Sequence, residues 1–149
     1  MSDTLRRRIA AGLLIVGVVV AVLAIEDWGP FSDPVTEEER VQATVERFFG
    51  AASEGDSKTF CALLTSDARE ALEVSTAQRL QTDKTPKCTQ ILDVLAPVFK
   101  GSAVSVRFVS VSGNRARVEA RYRVAGSGAQ PRTVLLLDED GEWRISDPG

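Results

Sequence analysis

The chain has 149 residues, 44% of them hydrophobic and 26% charged, with a formal net charge of −3. That size and balance suit one globular domain with a short appendage, and a slightly acidic chain lacks the basic excess of a nucleic-acid binder, so no nucleic-acid partner is expected. Histidine is absent, which removes the commonest general base, the commonest metal ligand and every histidine-containing triad; no catalytic residue, metal site or cofactor is expected.

Arg6, Arg7 and Arg8 precede residues 9–25, a run without a charged or polar side chain. As a helix this run is about 26 Å long at 1.5 Å per residue, just under the roughly 30 Å of a bilayer's hydrocarbon core. Arg8 can snorkel outward, and Trp28 stands where an interfacial aromatic would lie. The arginine cluster predicts a cytoplasmic tail over 1–8, a single transmembrane helix over 9–25 and everything after Ile25 outside the cytoplasm, anchored in the cell membrane. A cleaved signal peptide shares the charged start, and Val22-Leu23-Ala24 offers a small-residue cleavage site; the domain is then secreted after cleavage at Ala24. A buried core helix is a third alternative. No cysteine stands near the end of the run, so a lipoprotein anchor is excluded.

Residues 26–35, rich in proline and acids, read as a linker holding a domain off the membrane. Thr36 and Glu39 have capping-box spacing, and acids at 37–39 complement the dipole of a helix whose apolar stripe is Val41, Val45, Phe48, Phe49 and Ala52. Gly55 ends it. Asp56 caps a short helix with Phe60, Leu63 and Leu64 inward; Ser66 caps another, with Asp67 in its first turn and Ala68, Ala71 and Leu72 inward. Residues 75–84 read as loop or short strand. Thr85-Pro86 opens the next helix, with proline at the tolerated first position. Cys88, Ile91, Leu92, Leu95 and Phe99 then keep the 3.6 period until Pro97 distorts the last turn and Gly101 stops it.

From residue 103 the period becomes 2. AVSVRFVSV and RARVEARYRV flank Ser-Gly-Asn, a hairpin signal. Ala116, Val118, Ala120, Tyr122 and Val124 form a buried face; Arg115, Arg117, Glu119, Arg121 and Arg123 form a wet one. AGSGAQP loops into RTVLLLD, and Asp140-Gly141 turns into EWRIS, with Trp143 and Ile145 sharing a face. The glycines at 126 and 128 have no Lys-Ser/Thr and helix behind them, so they do not form a phosphate loop. Helices followed by an antiparallel meander predict an α+β fold with helices packed on one sheet face.

A first helix ending in RFFGAASEGD, the segment FCALLTSDAR and a closing hairpin with DGEWRI resemble the NTF2-like (cystatin-like, SnoaL-like) superfamily over about residues 36–147. The likeness is strongest to extracytoplasmic domains of bacterial, actinobacterial, membrane-anchored chains. The resemblance implies that residues 36–149 form a cone, a curved antiparallel sheet wrapped around helices, with a pocket at its mouth. Members include enzymes, transport factors and pure binding or assembly modules, so the fold does not fix the function. The superfamily's ketosteroid isomerases and polyketide cyclases use a pocket acid with a tyrosine or histidine partner. Here histidine is absent and no Asp or Glu falls at an inward strand position.

Three groups of residues are candidates. Cys61 and Cys88 are expected to pair outside the cytoplasm, closing a loop of about 28 residues for roughly 3–4 kcal/mol. Free buried thiols are the alternative, and a redox pair would sit closer together. Arg117, Arg121 and Arg123, with Arg107, Arg132 and Arg144 in reserve, could hold an anionic partner such as a wall polymer, lipid head groups or an acidic protein surface. The bland alternative is a solvated face that blocks edge pairing. Phe108, Tyr122 and Trp143 are candidate pocket-lining residues, against the alternative of ordinary core. The leading expectation is a non-catalytic, membrane-tethered binding or assembly module of the bacterial cell envelope, with an envelope protein or anionic polymer as partner. It would be a monomer or weak homodimer, because the charged strand face disfavours a tight apolar sheet dimer. The alternatives are a carrier or sensor of small hydrophobic ligands, then an isomerase- or cyclase-like enzyme.

Overall fold

The structure, a computed structural model, describes residues 35–149. The expected cytoplasmic tail, the span at 9–25, Trp28 and all of the linker except Val35 lie outside the described residues. Among the described residues no helix is long and apolar enough to cross a membrane. Thr36–Gly149 form one compact unit.

Helix α1 spans Glu37–Glu54. Its capping box is present as expected: the Glu39 N–H donates to the Thr36 hydroxyl at 3.2 Å, and the Thr36 N–H donates to the Glu39 carboxylate at 2.8 Å. Gly55, at φ 75, closes it in the left-handed conformation that glycine adopts without a Cβ clash. Val41, Val45, Phe48 and Ala52 are buried along one stripe. Helix α2 spans Ser57–Ala62, with Asp56 accepting from the Thr59 N–H at 3.0 Å.

Helix α3 spans Ser66–Leu80, which corrects two expectations. Thr65 is the cap, accepting the Ala68 N–H, and Ser66 is already helical. Residues 75–80 are helix and not loop or strand. The Ser75 and Thr76 hydroxyls bond back to the Leu72 carbonyl at 3.1 and 2.8 Å, which satisfies them inside the helix. Gln81, at φ 50, supplies the left-handed stop.

Helix α4 spans Cys88–Phe99 and so begins later than Pro86. Lys87 is extended at ψ 148, and the Cys88 N–H is capped from another helix by the Glu73 carboxylate at 2.8 Å. The helix continues through Pro97, and the Lys100 N–H reaches the Ala96 carbonyl at 3.0 Å.

Strands β1 (Ala103–Ser112), β2 (Arg115–Arg123), β3 (Gln130–Glu139) and β4 (Glu142–Asp147) form one antiparallel meander in the order β1-β2-β3-β4. Asp140 and Gly141 both take positive φ, as the tight hairpin there requires. A register shift between Val106 and Phe108 interrupts the β1–β2 pairing. Val104 and Val106 face the helices before it, Val109 and Val111 after it. The free edge of β4 is covered by the α2–α3 connection: the Thr65 N–H bonds the Ile145 carbonyl at 2.9 Å, and the Ile145 N–H bonds the Leu63 carbonyl at 2.8 Å.

The core lies between α1 and the inner sheet face, where Ala116, Val118, Ala120, Val134, Leu136, Trp143 and Ile145 are buried with Val41, Val45 and Phe48. Each large apolar side chain placed there contributes about 1.5–3 kcal/mol. The α+β class with helices on one sheet face is the observed architecture.

Candidate functional site

The four helices and the inner sheet face line a partly open cavity of about 240 Å³. Phe48, Phe49 and Ala52 of α1, Phe60 of α2, Leu72 of α3, and Ile91, Leu92, Leu95 and Phe99 of α4 make its apolar walls; Tyr122 of β2 lines it too, with Arg132, Pro148 and Gly149. The rings brace one another. Phe48 stacks on Phe60 at 4.5 Å between centroids, Phe49 meets Tyr122 at 4.9 Å, and Phe48 meets Phe49 edge-on at 5.2 Å.

Tyr122 reaches this place because strict alternation along β2 puts residues 116, 118, 120 and 122 on the inner face. It is 6% exposed, and its hydroxyl is buried with no hydrogen-bond partner. A buried hydroxyl that no other protein group satisfies is costly. Arg132 donates from Nη1 to the Gly149 carbonyl at 2.8 Å. No Asp or Glu lines the cavity. Its polar side chains are Tyr122 and Arg132.

The other two expected lining residues lie elsewhere. Phe108 is 58% exposed and pairs across the sheet with Glu119. The register shift after Val106 reverses the alternation and turns its ring to the outer face. Trp143 is buried, but it serves the core: its indole N–H donates to Glu37 at 2.7 Å, tying the last strand to the start of α1. That hydrogen bond, together with the one from Arg40, holds the Glu37 carboxyl below its ordinary pKa. What sequence reasoning missed is the ring cluster. Four of the six phenylalanines line the cavity, although Phe48 and Phe60 read simply as inward helix positions.

Arg117, Arg121 and Arg123 stand together on the exposed outer face of β2, and Arg117 comes within 3.7 Å of Glu119. Arg132 belongs to the cavity instead. Arg144 is engaged by Glu142 at 3.0 Å and Glu139 at 3.5 Å. Cys61 and Cys88 form a disulfide that joins α2 to the first residue of α4, with Cα atoms 6.0 Å apart and both residues buried.

The sequence-family profile described as "Putative lumazine-binding" matches residues 36–147, which takes in all four helices and all four strands. No curated protein matches. Among solved structures, an NTF2-like protein of unknown function from Shewanella baltica OS155 superposes with a TM-score of 0.51 at 12% identity, covering 77% of this chain and 92% of that one. A "putative ketosteroid isomerase" from Kribbella flavida gives a TM-score of 0.44 at 18% identity, covering 76% of this chain and 79% of that one. At these identities the structural likeness concerns the fold alone. The chain belongs to the family described as "Putative lumazine-binding", built on an NTF2-like α+β fold.

Proposed function

We propose that this domain is a non-catalytic binding module that holds a compact, mostly apolar ring compound in the cavity between α1–α4 and the sheet. The observation that carries this is the Tyr122 hydroxyl, a buried donor without a partner in an otherwise aromatic and aliphatic wall. Its complement is a flat ligand with one hydrogen-bond acceptor. At about 240 Å³ the cavity falls below the roughly 300–1,000 Å³ of pockets for drug-sized ligands, so the ligand is small. Lumazine, named in the family description, is flat and compact enough. Its several ring nitrogens and carbonyls would nevertheless meet mainly phenylalanine and leucine, and buried polar atoms without partners cost affinity. An apolar ring ketone is the better match.

The charged start and the apolar run at 9–25 support a membrane-tethered module held outside the cytoplasm by a single span, and the disulfide is in keeping with an oxidising compartment. Secretion after cleavage at Ala24 is the competing arrangement, and N-terminal sequencing of the exported protein distinguishes the two. Ligand binding is tested by thermal denaturation of the full chain with a fused-ring ketone, its parent hydrocarbon and lumazine. The largest rise in Tm is expected with the ketone and the smallest with lumazine. No rise with any of the three would contradict the proposal.

A further inference from the structure

A second depression lies beside the disulfide, an open cleft of about 1060 Å³ that shares no lining residue with the cavity. Five cations line it (Arg47, Lys58, Arg69, Lys87 and Arg144) against two carboxylates, Glu73 and Glu142. The whole chain carries −3, so a local excess of three positive charges is a concentration and not the background. Both carboxylates are already engaged, Glu142 within the cleft itself. Glu142 pairs with Arg144, and Glu73 accepts the first N–H of α4. Among the described residues Arg47, Lys58, Arg69 and Lys87 have no carboxylate within ion-pair distance.

One cation is anchored directly, and two others are carried by segments that the disulfide joins. Arg69 is anchored by its Nε, which donates to the Cys61 carbonyl at 3.2 Å. The Cys61–Cys88 bond fixes α2, which carries Lys58, against the start of α4, which follows Lys87. Two guanidinium and two ammonium groups with no carboxylate in ion-pair distance, lining one groove, focus a positive potential that a single small anion would neither fill nor neutralise. We infer that this cleft binds an extended, phosphate-bearing anion carrying more than one negative charge. Phosphate suits such a site because it offers several acceptor oxygens on one centre to forked and point-charge donors together.

The same phosphodiester chemistry is available from a soluble polymer or from a lipid surface, and the test separates them. The full chain in phosphatidylcholine nanodiscs is titrated with poly(glycerol phosphate) and, in parallel, sedimented with phosphatidylglycerol vesicles. Binding is expected in at least one arm, weakening steeply with salt as screening and counterion release require. The arm that binds identifies the source. Arg47→Gln/Lys58→Gln/Lys87→Gln should lower affinity at least tenfold and flatten the salt dependence, with Tm unchanged. Lys58→Gln alone should lower it about threefold, which keeps the test usable if the triple variant fails to fold. Arg117→Gln/Arg121→Gln/Arg123→Gln, on the outer sheet face, should stay within twofold of wild type. Absence of binding in both arms, an unaffected cleft variant, or an equal loss in the outer-face variant would overturn the inference.

Discussion

The cavity and the cleft are built from the same helices with opposite chemistry. Arg47 and Phe48 are neighbours on α1, Phe60 and Cys61 on α2, Leu72 and Glu73 on α3; the aromatic or aliphatic member of each pair lines the cavity and the other lines the cleft. Successive residues on a helix point about 100° apart, so one helix can serve two solvents at once. The cavity is mostly apolar, lined by rings that brace each other, and has one buried hydroxyl without a protein partner. The cleft is open, charged and stabilised by a covalent bond. On the proposed reading, selectivity in the first comes from shape and a single hydrogen bond; in the second it comes from charge and is modulated by salt.

Removing the disulfide should break both regions at once, because α2 and α4 wall each of them. Cys61→Ala/Cys88→Ala is expected to lose roughly 3–4 kcal/mol in denaturant unfolding, the entropy of freeing a loop of about 28 residues. Both ligand responses should weaken together. A variant that unfolds at the wild-type midpoint would show that helix packing alone holds the two walls.

The next change separates them. Tyr122→Phe removes a buried hydroxyl that has no partner, so the ligand-free protein should gain about 1 kcal/mol of stability, while the cleft keeps its anion affinity. A loss of stability would mean that the hydroxyl is already satisfied and that the cavity has no unpaired donor.

A smaller effect concerns the Trp143–Glu37 tie, which lies outside both regions. The folded pKa of Glu37 is below its ordinary 4.5, first through the hydrogen bond from Trp143 and then through that from Arg40. Its contribution to stability is therefore present above about pH 4.5 and lost as pH falls through the depressed folded value. Glu37→Gln should lower Tm slightly at neutral pH and flatten the acid limb of the Tm profile. Asp56, also depressed by its cap to Thr59, leaves part of that limb in place. An acid limb identical to wild type would remove Glu37 from the cause.

Much of the frame was legible in the sequence because its signals are local. The Thr36–Glu39 box, the Gly55 stop and the alternation through Tyr122 each lie within a few residues of chain. What escaped was set from a distance or by a break in the pattern. Glu73 caps Cys88 across a 15-residue gap, so Pro86 looked like the helix start. Gln81 stops α3 in a left-handed turn without a glycine to announce it. One register shift in β1 turned Phe108 outward, and nothing in AVSVRFVSV marks where it falls. The cleft is least legible of all. Its cations come from positions 47, 58, 69, 87 and 144, and no local motif connects them, whereas the run at Arg117, Arg121 and Arg123 is visible along one strand and lies on the exposed outer face.

Titration calorimetry of the fused-ring ketone against wild type and Tyr122→Phe, each folded and each with an intact disulfide, tests the ligand cavity most directly. One hydrogen bond from an otherwise unpaired donor is worth about 0.5–1.5 kcal/mol, so Kd should rise about three- to tenfold in the variant, while the parent hydrocarbon binds both proteins equally. Equal affinity of the ketone for both proteins would contradict the assignment of Tyr122 as the anchor.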